Sequence, residues 1–482
     1  MSTYSRLFGA SFPGHDEQAL RELADRMKDI PANRRGRRRG GELVVSGLVY
    51  FGQFIDHDLT RDNTDLPNAA KPPEGRINAR TPRFDLDSVY GEGPRGTPDL
   101  YDHSTPASER FLLGDTEPVE DIPSTPDDIP LRSDGVSAIA DDRNEENLFI
   151  AQLHVAFLQF HNRVLHDLTQ GRIPDPDRYG STAFERAQQF VTWHYQWIVC
   201  NEFLPRMVLD DVLADIQENG PKLFKPKLGD EIPLPVEFTH AAFRFGHSMV
   251  QNAYRLSQER VVKLKDLVKQ TAPNQPRQKL KATDVLDWYF FLMKSGQLPN
   301  FADNIDTLIA EGMYALPQAA ISLFSATPAM PLPAITLLRG SRIGLPSGQE
   351  ACALFGEQPL PEADVAFDAE TRSFLERNEI LKRTPLWYYI LREAEVLGAK
   401  KEQRRQKHLG GECLGPLGSR IVAEVLLGVM NSDRAHYLNA TPKWEPPYLV
   451  FGESRKPRQI GHLRELISFA KSDLVTRNAQ MF

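Results

Sequence analysis

Cysteine is scarce in this chain, and its scarcity excludes a fold held together by a network of disulfides. Cys200, Cys352 and Cys413 are the three cysteines among 482 residues, and their spacing matches no metal-binding pattern. An odd number of cysteines cannot pair completely within one chain. The sequence therefore favours intracellular, reducing conditions.

Long apolar runs are also missing. No run approaches the roughly 20 apolar residues that a membrane-spanning helix needs. The first residues, MSTYSRLFGASFPG, lack the charged head and apolar core of a secretory signal. The sequence predicts no membrane span and, by default, a cytoplasmic location, while export by a route without a cleaved signal stays open.

The chain has no excess of positive charge. Its formal net charge is −8, and residues of both signs are mixed along its length. One basic run, RRGRRR at 34–39, is short and isolated, so we interpret it as a solvated loop. Binding of nucleic acid or a membrane surface is the less favoured interpretation of that run. The composition predicts a globular protein without a nucleic-acid partner.

Strand-like alternation is scarce, whereas helical periodicity dominates. Apolar residues recur at spacings of three and four in the segments 20–30, 43–59, 147–168, 184–213, 241–256, 284–292, 386–397 and 421–430. Loops rich in proline, aspartate and glycine separate these segments. The pattern predicts a mainly α protein with many helices, long loops and little β structure.

The most unusual segment is FGQFIDHDL, in which charged residues stand among apolar ones. Burying ionisable groups is costly unless they are paired or metal-bound, so this cluster requires a reason beyond packing. If the segment is a helix capped by Ser46, Gln53 and His57 share one face. Asp56 and Asp58 then flank His57 on either side. A solvated turn is the alternative, but the neighbouring phenylalanines favour a buried catalytic pocket.

Two further pairs of residues are each separated by three positions. Arg143 and Glu146 precede a long apolar helix and share a face, although acidic residues at a helix start are expected from the helix dipole alone. Arg244 and His247 stand in FRFGHSM, where Gly246 indicates that something approaches the backbone closely. A buried histidine is usually only hydrogen-bonded. An arginine and a histidine that project together fit a haem better, with the imidazole on iron and the guanidinium on a propionate.

A fourth cluster is the acidic loop TPRFDLDSVYG. In an extended loop alternate residues point the same way, so Thr81, Asp85 and Asp87 can converge their oxygens with the carbonyl of Arg83. Several hard oxygen donors suit calcium, although the pattern differs from the twelve-residue EF-hand loop. A solvated acidic turn is the alternative.

In this order and spacing, the motifs resemble those of the animal-type haem peroxidases, which belong to the peroxidase–cyclooxygenase superfamily. The resemblance is carried by GQ-x-x-DHD, TPRFDLDSVYG, R-x-x-E before HNR, FRFGH and LPAITLLRGSRIGLPSG. These motifs spread over most of the chain. The resemblance therefore implies one large, mainly α domain around one haem b, residues 41–482, after an N-terminal extension, residues 1–40.

The implied reaction is the reduction of hydrogen peroxide through high-valent iron, followed by oxidation of small donors. His57 matches the distal histidine, which takes the first proton of peroxide and returns it to the departing oxygen. Arg143 matches the distal arginine, which stabilises charge as the O–O bond breaks. Gln53 would lie near the distal water and the halide site, and His247 would be the proximal iron ligand. The expected donors are phenolic or aromatic compounds, or iodide, bromide or thiocyanate.

The resemblance also implies how the haem is held. Arg244 and Arg339 match the arginines that bind its propionates. Asp56 and Glu146 match the two acids that form ester bonds to haem in mammalian members, so covalent attachment is our hypothesis. Asn147 stands where one member has the methionine of a third bond, which should be absent here.

Calcium is implied by the same resemblance. Asp58, Thr81, Arg83, Asp85 and Asp87 match the family's calcium loop, with Asp58 tying that loop to the helix that carries the distal histidine.

One of the departures from the family pattern concerns the proximal histidine. The asparagine that usually hydrogen-bonds the proximal histidine falls at Thr336, which leaves the partner of His247 open.

Two other functions remain as alternatives. A fatty-acid dioxygenase of this superfamily uses a tyrosyl radical three residues before the proximal histidine, and Arg244 occupies that position here. A non-catalytic scaffold that binds haem and calcium would have no need of His57, Arg143 and Gln53 together. Both alternatives are therefore disfavoured, while the electron donor and the oligomeric state stay open.

Overall fold

The computed structural model describes residues 2–30, 44–104, 109–269, 274–293, 299–317, 330–400, 410–451 and 456–472. Its α-helices of eight or more residues are α1 (Glu17–Arg26), α2 (Ser46–Leu59), α3 (Leu148–Thr169), α4 (Ala183–Ile198), α5 (Asp210–Asn219), α6 (Leu332–Arg342), α7 (Gly348–Phe355), α8 (Ala369–Arg377), α9 (Leu386–Leu397), α10 (Pro416–Ser432) and α11 (Leu463–Lys471). Single-turn α-helices are Asp87–Tyr90, Gly93–Gly96, Leu204–Met207, Val236–Thr239, Leu264–Leu267, Tyr289–Leu292 and Glu362–Val365. Short 3₁₀-helices are Pro73–Gly75, Pro98–Leu100, Asp142–Glu145, Pro176–Tyr179, Ala242–Met249, Ala282–Asp284, Glu311–Tyr314 and Tyr437–Asn439.

The β structure in these ranges is slight. The strands are β1 (Ser2–Ser5), β2 (Ile77–Asn78), β3 (Leu234–Pro235), β4 (Ala253–Arg255), β5 (Val261–Lys263), β6 (Tyr448–Leu449) and β7 (Arg458–Gln459). β1 lies between β2, to which it is antiparallel, and β3, to which it is parallel; β4 pairs with β5 and β6 with β7, both antiparallel. The prediction of a mainly α domain with little β structure is confirmed.

The core is built around α3, whose side chains are buried on almost every face. α2, α4 and α11 pack against it. Phe54 of α2 stacks on Phe157 of α3 with ring centroids 4.8 Å apart, and Phe160 meets Phe469 of α11 edge-on at 5.6 Å. Such aromatic pairs contribute about 0.5–1.5 kcal/mol each beyond the area they bury. No helix in the described ranges combines the length and apolar character that a membrane crossing requires.

α2 starts without the side-chain cap that the sequence suggested. Val45 holds the N-cap position, and Ser46 is the first helical residue, with a buried hydroxyl that makes no hydrogen bond in the described structure. The backbone supplies the anchor instead: the Ser46 amide donates to the Asn300 carbonyl at 2.9 Å. The prediction of Ser46 as cap was wrong because pairing with a distant segment satisfies the start of this helix.

Two predicted helices are interrupted. The segment 184–213 forms α4, a π-helical stretch (Val199–Phe203) and a short helix, because Pro205 has no amide hydrogen to continue the α-helical pattern. The segment 241–256 is a 3₁₀-helix (Ala242–Met249) followed by β4 rather than one α-helix.

The N-terminal residues pack into the domain. The hydroxyl groups of Tyr4 and Thr60 lie 2.6 Å apart, and the Leu7 amide donates to the Glu237 carboxylate at 3.0 Å. α1 buries its apolar face against α6. The predicted boundary at residue 40 lies outside the described residues, so the division into an extension and a domain stays a prediction.

We expect Glu237 to reduce the stability of the fold as the pH rises from about 4.5 to about 7. Burial raises the pKa of this carboxyl to about 7, whereas in the unfolded chain it titrates near its ordinary value. Because the folded pKa is the higher one, the full stability is present below the unfolded pKa and is lost as the pH rises through the folded pKa. Glu237→Gln keeps an oxygen acceptor for the Leu7 amide without the charge. It should remove a loss of roughly 1–3 kcal/mol between pH 5 and pH 8, measured by urea unfolding.

The control for this measurement is Glu22→Gln, because Glu22 is exposed on α1. That variant should follow the wild-type pH dependence. An unchanged pH dependence in Glu237→Gln would contradict the assignment.

Candidate active site

α2 and the turn before α3 form one wall of the site. His57 is buried, and its Nδ1 atom lies 3.0 Å from Oδ1 of Asn144, while its Nε2 atom lies 3.6 Å from Oε1 of Glu146. Gln53 donates a hydrogen bond to that same Glu146 oxygen. Asn147 donates to Oε1 of Gln53 at 3.2 Å. The structure thus brings His57, Gln53 and Glu146 together.

Arg143 contacts the C-terminal end of α2. Its guanidinium pairs with Asp141 through Nε at 3.0 Å and Nη2 at 2.7 Å, and it donates to the carbonyls of Thr60 at 2.7 Å and His57 at 2.9 Å. Burial alone would lower the pKa of Arg143, but Asp141 raises it above its ordinary value. The cation therefore caps the C-terminal end of α2, where the helix dipole is negative. Its hydrogen bonds go to α2 and Asp141 rather than to Gln53 or Glu146.

The 3₁₀-helix Ala242–Met249 packs against α2 and forms the facing wall. With three residues per turn, Arg244 and His247 are eclipsed on one face, so the two side chains align more closely than an α-helix would allow. A Cβ atom placed at Gly246 would meet Val49 of α2 at 3.9 Å, an ordinary van der Waals distance, and no other heavy atom within 4 Å. Because Gly246 has no side chain, a narrow gap remains between the two walls beside His247.

His247 is held in its neutral form. Burial, with the charge of Arg244 as a second cause, lowers its pKa to about 3, and neutral imidazole is the form that ligates a metal. Its Nδ1 atom is buried and makes no hydrogen bond to any described residue. Trp387 meets the imidazole edge-on at 5.9 Å and donates to the Arg244 carbonyl at 3.1 Å. Thr336 does not replace the family asparagine, because its hydroxyl donates to Leu332 in its own helix at 3.0 Å.

Two buried cations, Arg244 and Arg339, lie close enough to interact electrostatically. Burial and the nearby charge of Arg244 lower the pKa of Arg339 to about 10. Arg339 donates to the Thr64 carbonyl at 2.7 Å and lies 3.9 Å from Asp62, while Arg244 donates to the Thr239 carbonyl at 3.1 Å. Two like charges this close favour an anion between them. The pair fits the two propionates of a haem.

Asp56 lies on α2, and its carboxyl interacts electrostatically with residues of both walls. Burial raises the pKa of its carboxyl, and electrostatic interactions with His57, Arg244 and Arg143 oppose that rise, while Glu146 adds to it. The residues on both sides of the gap therefore fit a flat, acidic, iron-containing group: a neutral imidazole for the metal, two cations for carboxylates, and two acids at its edge.

The acidic loop and α2 form a separate candidate cation site. Carboxylate oxygens of Asp58, Asp85 and Asp87 all lie within 4.8 Å of one another. Burial, together with their mutual repulsion, raises the pKa of Asp58 well above its ordinary value and that of Asp85 to about 7. Leu86, which separates Asp85 from Asp87 in the chain, adopts a left-handed conformation with φ of 59°. The Thr81 amide donates to Asp87 at 3.0 Å.

This donor set fits a divalent cation. One Ca²⁺, which prefers oxygen ligands, would relieve the repulsion among three converging carboxylates. Arg83 lies in the same turn, with its amide donating to the Thr81 carbonyl at 2.7 Å.

Sequence reasoning missed two residues that organise the site. Asp62 accepts from Arg76 at 2.5 Å and 3.0 Å and from His240 at 3.0 Å, close to Arg339. Burial would raise the pKa of Asp62, but His240 and Arg76 hold it well below its ordinary range. Asn144 was the second omission. Its position directly after Arg143 was visible, but the atoms it contacts come from three separate segments.

Comparison with known proteins assigns the chain to a family. The chain belongs to the animal haem peroxidase family, whose sequence model matches residues 58–445. Membership of this family implies that the chain binds haem, and the resemblance inferred from the motifs is confirmed.

Individual relatives match part of the chain. Peroxidase mlt-7 of Caenorhabditis elegans is 25% identical over 253 residues, which cover 48% of this chain and 30% of the relative. A peroxidase-like protein of Margaritifera margaritifera is 30% identical over 260 residues, covering 43% of this chain and 32% of the relative. The matches thus span about a third of the length of these relatives.

Solved structures share the fold over nearly the whole chain. Peroxidase A from Dictyostelium discoideum aligns with a TM-score of 0.59 and 16% identity, covering 99% of this chain and 91% of that one. The fatty acid α-dioxygenase of Oryza sativa aligns with a TM-score of 0.55 and 12% identity, covering 99% and 81%. At these identities the likeness shows the fold alone.

Proposed function

We propose that this chain is a haem peroxidase that reduces hydrogen peroxide and oxidises small donors: phenolic or aromatic compounds, or iodide, bromide or thiocyanate. The observation that carries the proposal is the position of His57 on one wall of a gap whose other wall carries the neutral imidazole of His247. A base on one side and a metal ligand on the other are what peroxide cleavage at haem requires.

The described residues would hold haem b in defined ways. His247 would bind the iron, and Arg244 and Arg339 would bind the propionates. When bound, the haem supplies the redox chemistry that couples peroxide reduction to the oxidation of a donor. The protein supplies the proton transfers and the electrostatic environment.

His57 is the proton carrier in this proposal. Its Nε2 atom faces the gap and takes the first proton from hydrogen peroxide, which makes the peroxide a better ligand. The same atom then delivers that proton to the departing oxygen, which leaves as water. The Gln53 amide lies one helical turn away and orients a small molecule in the gap. Arg143 favours the negative charge that develops, through its field rather than a direct hydrogen bond.

The fatty-acid dioxygenase alternative has structural neighbours but lacks the radical residue. The position three before His247 is Arg244, whose guanidinium donates to the Thr239 carbonyl. A guanidinium cannot form the phenoxyl radical on which that chemistry depends. The scaffold alternative leaves the joint presence of His57 and Gln53 without a reason.

The test is a donor screen on the haem-loaded protein. Phenols and halides should be oxidised in the presence of peroxide, and rapid mixing with peroxide alone should shift the main haem absorption band. Oxygen uptake with polyunsaturated fatty acids and no oxidation of phenols would favour the dioxygenase. If peroxide does not change the spectrum, the non-catalytic scaffold is the function that this test favours.

We also expect the haem to become covalently attached through Asp56 and Glu146. After treatment with peroxide, acidified organic solvent should fail to extract the haem from the wild-type protein. Asp56→Asn and Glu146→Gln should each restore part of the extraction, and the double variant should restore all of it. Asn147→Leu is the matched control next to Glu146, since it removes no carboxylate. Complete extraction from the wild-type protein would refute the ester bonds.

The same proposal assigns calcium to the cluster of Asp58, Asp85 and Asp87, with oxygens of Thr81 and Arg83 completing the ligands. The mutual approach of the three carboxylates supports it. Asp58 immediately follows His57, so the cation would also anchor the end of α2 that carries the proton carrier.

A further inference from the structure

Asn144 makes three buried contacts that link separate parts of the protein. Its side chain is fully buried. The Nδ2 atom lies 3.1 Å from the Ser88 carbonyl and 3.2 Å from Nδ1 of His154, and the Oδ1 atom lies 3.0 Å from Nδ1 of His57. One amide therefore connects the acidic loop, the long helix α3 and the histidine of the active site.

The directions of these hydrogen bonds follow from the partners. The Ser88 carbonyl can only accept, so the amide must present its NH₂ group to it. The second hydrogen of that group points at Nδ1 of His154. Burial lowers the pKa of His154 to about 4, so this imidazole is neutral and able to accept at Nδ1. Both amide hydrogens of Asn144 are then in use.

The remaining amide atom faces His57. An amide oxygen only accepts, so Nδ1 of His57 must carry the hydrogen in this contact. A neutral imidazole has one such hydrogen, which leaves a lone pair on Nε2. Glu146 is the charged group facing Nε2, but at 3.6 Å its oxygen is beyond hydrogen-bonding distance, whereas Asn144 is within it. The Asn144 contact is therefore the one that determines the tautomer.

We propose that Asn144 is a positioning residue that fixes the tautomer of His57, with hydrogen on Nδ1 and a free lone pair on Nε2 directed into the gap. Its consequence for catalysis rests on the proposed peroxidase function, because the first proton transfer needs an acceptor at Nε2. The opposite tautomer would present a hydrogen there and could not accept one. A wrong tautomer is known to lower the rate of a histidine-dependent enzyme by about 10⁴-fold, as in the serine protease triad.

The acidic loop also helps to fix the orientation of the Asn144 amide. Ser88 lies in the short helix Asp87–Tyr90, and its hydroxyl donates to Asp58 at 3.3 Å. The carbonyl that orients Asn144 is therefore held by the cluster of carboxylates. The Asn144 side chain therefore couples the conformation of that loop to the orientation of His57.

A direct test measures the tautomer in the wild-type, haem-loaded protein. The histidines are labelled with ¹⁵N, the diamagnetic ferrous carbonyl form is prepared, and His57 is assigned by its loss in His57→Gln. The expected spectrum shows a protonated Nδ1 and an unprotonated Nε2. A protonated Nε2, alone or together with Nδ1, would overturn the proposal.

Cyanide binding provides a second readout that is separate from peroxidase activity. Hydrogen cyanide must lose its proton to bind ferric iron as the anion, and Nε2 of His57 is the acceptor. Asn144→Leu should slow cyanide association by about 10- to 100-fold, because the acceptor tautomer is no longer held. Asn144→Asp keeps an oxygen for Nδ1 but loses the two hydrogens that the Ser88 carbonyl and His154 accept, so it should recover only part of the rate.

The matched control is Asn162→Leu. Asn162 is a second buried amide, on α3, whose two hydrogen bonds go to the backbone of Phe111 at 2.8 Å and 2.9 Å. This variant should lose stability but bind cyanide at the wild-type rate per bound haem. Wild-type cyanide kinetics in a haem-loaded Asn144→Leu protein would overturn the proposal. If that variant binds no haem, the tautomer measurement on the wild-type protein decides.

The outcomes separate this proposal from the proposed function. A wild-type protein with the expected tautomer and fast cyanide binding that fails to react with peroxide would refute the peroxidase and leave the role of Asn144 intact. Peroxidase activity together with the opposite tautomer would support the peroxidase and refute the role proposed for Asn144.

Discussion

His57→Ala is expected to slow the reaction of the haem-loaded protein with hydrogen peroxide by about 10²- to 10⁴-fold, the range that general acid–base catalysis contributes. The imidazole is buried, its Nδ1 atom lies 3.0 Å from Oδ1 of Asn144, and its Nε2 atom lies 3.6 Å from Oε1 of Glu146. No other imidazole among the described residues that contact this wall is placed to take over: Nδ1 of His154 is occupied by Asn144. Stopped-flow mixing with peroxide at neutral pH measures the loss.

The control for His57 is His161→Gln. His161 is also buried, but it lies on α3 and contacts the Tyr90 hydroxyl at 3.0 Å and the Glu109 carbonyl at 3.1 Å. Its replacement should change stability and leave the peroxide reaction per bound haem unaltered. Added imidazole should restore part of the rate in His57→Ala by entering the space left by the side chain. If His57→Ala reacts as fast as the wild-type protein, another group carries the proton and the mechanism is wrong.

Removal of calcium is expected to lower the free energy of unfolding by roughly 3 kcal/mol, the stabilisation given by a ligand present at about 100 times its dissociation constant. The loss has two sources. The cation no longer joins α2 to the acidic loop, and the carboxylates of Asp58, Asp85 and Asp87 are left within 4.8 Å of one another. Thermal unfolding with calcium and with a chelator measures the difference.

The variant Asp85→Asn allows a more specific test, because its stability should change in opposite directions with and without calcium. Replacing one carboxylate removes a ligand and also removes a repulsion, so the variant should be less stable than the wild-type protein with calcium and more stable without it. Asp121→Asn is the control, because Asp121 is exposed on a distant loop. Equal stability of the wild-type protein with and without calcium would show that this cluster binds no structural cation. Loss of calcium should also disturb Ser88, and through Asn144 the orientation of His57.

Much of the helical framework could be predicted from apolar spacing. α9 occupies the predicted 386–397, because Pro385 ends the preceding loop and the apolar residues that follow repeat at helical spacing. α2 was also predicted, and both helices are buried on the faces that the spacing indicated. Where side chains pack against a continuous core, the sequence pattern carries enough information to locate a helix.

The segment around His247 shows where that information ends. Spacings of three are common to the α-helix and the 3₁₀-helix, so the pattern in 241–256 could not distinguish them. β4 at its end is a strand because β5 pairs with it, and such pairing is not visible in either segment alone. The shared face of Arg244 and His247 survived this error, since a separation of three positions aligns side chains in both kinds of helix.

The polar contacts of the site were beyond sequence reasoning for a different reason. Arg143 could be assigned by resemblance, but its bonds to the carbonyls of His57 and Thr60 depend on how two segments more than 80 positions apart come to pack. The role inferred for Asn144 depends in the same way on Ser88 and His154. The sequence identifies the hydrogen-bond donors, but the tertiary packing determines which acceptors they contact.

The position of β1 has a consequence for the order in which the protein is completed during synthesis. Ser2–Ser5 forms the middle strand between β2 and β3, and the hydroxyl of Tyr4 contacts Thr60 at the end of α2 while its ring packs edge-on against His240, shortly before the 3₁₀-helix. At about 5–20 residues per second, β3 leaves the ribosome on the order of 10 to 50 s after β1. β1 thus pairs with its second partner only after β3 has been made, when α2 is already complete and the 3₁₀-helix that forms the second wall is still to be made.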